Sequence, residues 1–102
     1  LARVRNKVDF YRRMLLKFRD IHAAEIDRDL RLFIGNGQRP EATRTAHSLK
    51  GIALSLGIDQ LGALAADVEY SLKDPTVSAD VALVAPLLAE LDNIRQVLQT
   101  LG

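Results

Sequence analysis

Apolar residues recur every three or four positions along most of the chain, which is the spacing of one face of an α-helix. Five segments with this spacing are separated by turn-forming residues. The first runs from about Val4 to Arg19 and the second from about Ile21 to Ile34. The apolar stripe changes phase between these two segments, so a kink or break near Asp20 is predicted rather than one long helix.

The third and fourth helices have clear boundary signals. The third is predicted to begin at Pro40, a residue well suited to the first helical turn, and to end at Gly57. The fourth follows Asp59, a good N-cap, and stops at Pro75. Both segments therefore have the length of ordinary helices in a small globular domain.

The fifth segment is interrupted by Pro86, which removes a backbone donor. The pattern predicts either a short helical turn at residues 79–84 followed by the main helix, or one kinked helix. Short connections between amphipathic helices of similar length predict antiparallel neighbours. We therefore expect an all-α fold: an antiparallel up-down four-helix bundle of segments two to five, with the first helix packed across one end.

Length and composition set the class of protein. The chain has 102 residues, enough for one domain spanning 1–102, and 48% of them are hydrophobic, which argues against disorder. The chain has no cysteine, so disulfides and thiolate metal sites are excluded. Its apolar runs are too short to cross a bilayer, so no direct membrane contact is expected. Because it begins at Leu1 rather than methionine, we expect it to be part of a longer protein.

The charge is unevenly distributed although the net charge is only +1. Residues 1–20 carry seven basic side chains and two acidic ones, whereas residues 56–102 carry seven acidic and two basic ones. A basic segment can face nucleic acid, anionic lipid or an acidic protein surface. The acidic second half and the absence of a recognition motif argue against nucleic acid as a partner.

The outer face of the third helix carries the candidate chemistry. With its apolar stripe turned inward, His47 faces outward, with Arg44 three residues before it and Lys50 three residues after it. Gly51 lies one turn after His47, although glycine inside a helix costs about 1 kcal/mol relative to alanine. Close approach of another body is one reason to keep such a glycine. The basic pair supplies positive charge where a phosphate would rest, so the pattern predicts a histidine nucleophile presented to a phosphorylated partner.

The stretch Ala46–Gly51, with sequence AHSLKG, followed by Gly57 resembles the signature of histidine-containing phosphotransfer (HPt) domains. The resemblance extends over nearly the whole chain. One departure is Leu54, at a position that is often small in the family; it is either partner-facing or tucked between helices. The resemblance implies a four-helix bundle without kinase activity of its own, and a place as the C-terminal module of a hybrid sensor histidine kinase.

The resemblance also implies a function and partners. His47 is expected to accept a phosphoryl group on Nε2 from the aspartate of one response-regulator receiver domain and to donate it to another. Lys50 and Arg44 would hold phosphoryl oxygens or acidic groups of the partner, Gly51 would give clearance, and Leu54 would lie at the rim. No metal or cofactor is expected on this chain, because Mg²⁺ would come with the receiver. The expected location is cytoplasmic, at the cytoplasmic end of a membrane-anchored sensor kinase.

Two other interpretations remain, and a third is disfavoured by the residues after His47. A phosphate-accepting domain of a chemotaxis-type kinase shares the fold and the signature. A helical adaptor bundle without chemistry would bind partners but would not need His47. A kinase dimerisation domain usually has glutamate after the histidine and proline a few residues later, whereas here Ser48 follows and the next proline is Pro75. The second histidine, His22, is interpreted as structural or incidental.

Overall fold

The computed structural model describes residues 2–101, with side chains described from Lys7 onward. The ends of the predicted domain, Leu1 and Gly102, and the side chains of Arg3 and Arg5 in the basic segment lie outside the described residues. Within the described range every regular element is helical. The elements are α1 (Ala2–Lys17), a π-helical turn (Phe18–His22), α2 (Ala23–Gly35), α3 (Arg39–Ser55), α4 (Asp59–Lys73), α5 (Val81–Leu98) and a 3-10 turn (Gln99–Leu101).

The four helices α2 to α5 form a closed bundle. α2 contacts α3 and α5, and α4 contacts the same two helices from the other side. Loops of three residues connect α2 to α3 and α3 to α4, so these neighbours run antiparallel. Fully buried aliphatic and aromatic side chains fill the space between them: Phe18, Leu30, Leu49, Leu61, Leu72, Val84, Leu87 and Leu91. The predicted all-α bundle is confirmed.

The sequence predicts a kink or a break between α1 and α2, and the structure excludes the break. Phe18 and Ala23 are both fully buried although they are five residues apart. The backbone N–H of Ala23 donates to the carbonyl of Phe18, which is the bond of a π-helical turn. The backbone stays right-handed helical at Lys17 and His22, so the helix is continuous from α1 into α2. The π turn contains one extra residue, and this explains the phase change in the apolar stripe without an interruption.

α1 lies at one end of the bundle, where α3 and α5 terminate. The Tyr11 hydroxyl donates to the carbonyl of Leu56, just after α3. Arg12 donates to the carbonyl of Leu101, and the Arg19 guanidinium donates to the carbonyl of Leu98 at 3.1 Å. These bonds reach carbonyls at or just beyond the C-terminal ends of the helices, where intrahelical donors run out. The predicted N-terminal helix is thus present at one end of the bundle, as an extension of α2.

α5 is a single helix. Of the two predicted arrangements, one kinked helix is therefore closer to the structure than a short turn followed by the main helix. Asp80 is its N-cap and accepts from the backbone N–H of Leu83 at 3.1 Å. Pro86 lies inside the helix, six residues after the cap. Residues 79–84 therefore do not form a separate helical turn.

The close packing of α3 on α4 depends on Gly62. A Cβ atom placed on Gly62 would lie 2.8 Å from Cδ2 of Leu54, well inside van der Waals contact. Leu54 is 54% exposed, yet its branched end covers the bare backbone of α4. Because Gly62 makes room for it, the large residue at position 54 is accommodated between the helices at the surface.

Candidate functional site

His47 lies in the middle of α3 with its imidazole turned away from the core. Its side chain is 65% exposed. The opposite side of the helix is anchored by residues with no exposed surface, namely Ala42, Ala46, Leu49 and Ala53. The small alanines let α3 approach its neighbours, and helical geometry then places His47 on the outer surface. The ring is therefore open to another protein.

One carboxylate on α4, that of Glu69, organises the ring and two lysines. His47 Nδ1 lies 2.8 Å from Glu69 Oε2, and Lys50 Nζ lies 2.9 Å from Glu69 Oε1. Lys73, one turn further along α4, places its Nζ 3.1 Å from Oε2. The Glu69 side chain is only 8% exposed, so it needs these partners to remain charged in a largely buried position.

The charges around Glu69 keep it ionised. The hydrogen bond from Lys50 has the largest effect, and together with those from Lys73 and His47 it outweighs burial and lowers the pKa of Glu69 from 4.5 to about 2. An ionised carboxylate can only accept hydrogen bonds. The proton between the two groups must therefore reside on Nδ1 of His47, and in the neutral ring the lone pair is on Nε2.

This arrangement matches the needs of a histidine nucleophile. Glu69 holds the ring in one orientation and one tautomer, as carboxylates that orient histidines do in other sites. When Nε2 forms a new bond through its lone pair, the ring becomes positively charged. The adjacent carboxylate stabilises that charge, because the Nδ1–H bond to Glu69 becomes charged on both sides.

The other four predicted site residues all lie on α3 near His47, but they differ in exposure and in the partners they contact. Gly51 is exposed, and a Cβ atom added there would meet nothing within 4 Å, so space beside the ring is open. Lys50 is at the site, but its ammonium is paired with Glu69. Arg44 is an exposed neighbour one turn before His47 whose closest partner is Glu41, at 3.5 Å. Leu54 is at the surface and packs on α4, as described above.

Sequence reasoning assigned no role to Glu69 or Lys73. A signal was present, because Glu69 follows Ala65 by four residues and directly follows Val68, on the buried side of α4. A carboxylate on an apolar stripe requires a charged or hydrogen-bonding partner. Which partner it meets depends on the packing of α4 against α3, which the helical pattern of α4 does not specify.

A groove of about 580 Å³ runs along α3 next to His47. One side is formed by α3, including His47 and Gly51, and the other by the continuous N-terminal helix, including Phe18 and His22. The groove is open to solvent, and most of its lining is apolar. It lies on the side of α3 that faces the N-terminal helix, whereas Glu69 belongs to α4.

Two searches of the described residues gave negative results. Among residues 2–101, no group of three or more histidine, aspartate or glutamate side chains is arranged to hold a metal ion. In the same part of the chain, none of the helices combines the length and apolar character needed to cross a bilayer.

Replacing Glu69 with glutamine should change how stability depends on pH. The folded-state pKa of about 2 lies below the ordinary value of 4.5, so the carboxylate contributes its full stabilisation above about pH 4.5 and loses it as the pH falls toward 2. Near neutral pH the variant should unfold more easily by about 1–3 kcal/mol, and this difference should shrink in acid. Urea denaturation of both proteins between about pH 7 and pH 2 measures it. A difference that stayed constant with pH would show that Glu69 is not the stabilising anion.

Comparison with protein families assigns the chain. The family model described as the Hpt domain matches residues 11–97, a range that contains α2 to α4, almost all of α5 and the whole His47 cluster. Searches among curated proteins and among solved structures found no match. Hpt domains carry out histidine phosphotransfer in phosphorelays and interact there with receiver domains. The match covers most of the chain and agrees with the helical bundle, so this chain belongs to the Hpt domain family.

Proposed function

We propose that this domain relays phosphoryl groups through His47, which accepts them from the aspartate of one receiver domain and donates them to another. One observation carries the proposal: an exposed imidazole has its Nδ1 atom held by an ionised Glu69, which leaves Nε2 as the nitrogen with a lone pair, and the space at Gly51 one turn away is open. Such a ring needs no separate base, because its attacking nitrogen carries no proton.

The transfer follows from this geometry. The Nε2 lone pair attacks the phosphorus of the aspartyl phosphate in line, an N–P bond forms, the P–O bond breaks, and the aspartate leaves as a carboxylate. The Nδ1 proton stays on the ring and continues to bind Glu69. In the reverse direction the cationic phosphohistidine ring is a good leaving group for the next aspartate, so the same contacts serve acceptance and donation.

The receiver is expected to bring the remaining groups of the reaction. In our proposal the partner brings the aspartate and the Mg²⁺ that neutralises the transferring phosphoryl oxygens. Gly51 gives clearance for its approach, and Arg44 and Leu54 lie where its rim would contact α3. We further propose that the domain works in the cytoplasm as the C-terminal module of a hybrid sensor histidine kinase, without kinase activity of its own.

The direct test is transfer of labelled phosphate. A receiver domain labelled with ³²P on its aspartate is mixed with the purified domain, and the label is followed by gel electrophoresis and mass spectrometry. We expect the label to move to His47 within minutes as a phosphoramidate that is labile in acid and stable in alkali. Label that never leaves any receiver tested, or that appears on a different residue, would refute the proposed function.

Substituting Lys50 with alanine should slow transfer about ten- to hundredfold, because a charged hydrogen bond at the site is lost. Lys73→Ala is the matched control, since it also removes an ion pair of Glu69 but starts from a more exposed side chain on the other helix. We expect Lys73→Ala to slow transfer less than Lys50→Ala does. Single-turnover transfer rates compare the two variants, and an unchanged rate in Lys50→Ala would remove Lys50 from the proposed site.

A further inference from the structure

The groove beside His47 contains a second histidine. Met14, Phe18 and His22 follow one another at four-residue intervals along the continuous N-terminal helix, and all three line the groove. The opposite side of the groove includes His47 and Gly51 from α3. Both histidines therefore border one open space, His22 from the N-terminal helix and His47 from α3.

His22 owes its position to the π-helical turn. It is the last residue of that turn, directly before the buried Ala23. The turn keeps both Phe18 and Ala23 in the core, which places His22 at the edge of the groove with a partly exposed side chain. π-helical turns are rare and occur often at functional sites, so the position of this histidine is unlike that of a residue on a regular surface helix.

A phosphoryl group on His47 would lie on the side of the ring away from Glu69. Nδ1 is bound to Glu69 on α4, and the two ring nitrogens point in divergent directions, so Nε2 points away from that carboxylate. The cations of the cluster, Lys50 and Lys73, are both bound to Glu69. Among the described residues that line the groove, His22 is the only ionisable side chain other than His47.

We propose that His22 is a second phosphoryl-binding residue, whose imidazole donates a hydrogen bond to an oxygen of the phosphoryl group carried by His47. The inference rests on the proposed function. His22 stabilises the phosphorylated state from the side of the groove opposite Glu69, and its own proton stays on the ring. The groove thus binds a phosphoryl dianion at the edge where His22 and His47 lie.

The test compares His22→Phe, which keeps an aromatic ring without a donor, with His22→Gln, which keeps a donor. Each protein is phosphorylated by two donors: inorganic phosphoramidate, which brings no protein surface, and a phosphorylated receiver. We expect His22→Phe to lower the fraction of phosphorylated His47 at equilibrium about three- to tenfold with both donors. His22→Gln should recover most of this loss, and the ³¹P chemical shift of phosphohistidine should move in the Phe variant only.

The possible outcomes separate this inference from the proposed function. Equal phosphorylation and an equal ³¹P shift in all three proteins would overturn the role of His22 and leave relay through His47 intact. A loss confined to the receiver reaction would also overturn it, because His22 would then contact the partner and not the phosphoryl group. Failure of the unmodified domain to accept phosphate from either donor would refute the proposed function itself. Urea denaturation of both variants checks that the π turn remains folded.

Discussion

Replacing His47 with glutamine is expected to abolish phosphate acceptance and leave the fold intact. The glutamine amide can still donate to Glu69, and position 47 lies on the surface, so unfolding free energy should change by less than about 1 kcal/mol. The amide nitrogen has no available lone pair for attack on phosphorus. Labelled transfer from a receiver should therefore fall below detection, which the ³²P assay measures directly.

The other histidine provides the matched control for this substitution. His22→Gln introduces the same residue elsewhere in the same groove and should retain most of the labelling of His47, because its amide keeps a hydrogen-bond donor there. If the His47→Gln protein still became labelled at the normal rate, phosphate would have another acceptor. Signalling that survived His47→Gln in the parent protein would favour the adaptor interpretation, in which the bundle binds partners without chemistry.

Replacing Gly51 with glutamate should reduce transfer from a receiver by at least about a hundredfold without unfolding the domain. The space beside Gly51 is open, so the new side chain fits the isolated domain but occupies the approach to His47. Its negative charge also opposes the phosphate and the acidic pocket of a receiver. Since glycine is a poor helix former, stability should be equal or higher by up to about 1 kcal/mol. Transfer rates and urea denaturation on the same protein measure the two effects.

Two alanine substitutions serve as controls for clearance. Gly51→Ala should keep transfer within a few-fold of normal and raise stability by about 0.5–1 kcal/mol, because one methyl group leaves the approach open. Gly62→Ala should gain less stability than Gly51→Ala, because its Cβ would lie 2.8 Å from the exposed end of Leu54 and the rotation of that side chain offsets the helix propensity of alanine. Normal transfer to the Gly51→Glu protein would show that partners do not approach His47 over this glycine.

Much of this fold follows from local patterns. The helical periods predict the bundle, and the bounds of α3 agree with the signals at Pro40 and Gly57 within two residues. The phase change near Asp20 is a real feature of the chain, and of its two predicted forms, a kink or a break, the structure excludes the break. A break and a π turn both shift the stripe, and the five-residue spacing from Phe18 to Ala23 is the detail that distinguishes them.

The outward position of His47 and the adjacent Gly51 follow from the sequence alone, because they depend on the rotation of one helix about its own axis. The contact between His47 and Glu69 joins residues 22 positions apart and was decided by the packing of α4 on α3. That contact selects the ring tautomer, and the same carboxylate pairs with Lys50, which the sequence predicts to hold phosphoryl oxygens or acidic groups of the partner. Periodicity specifies which side of a helix is buried, whereas the meeting of side chains from two helices depends on their relative register, and only the tertiary structure sets that register.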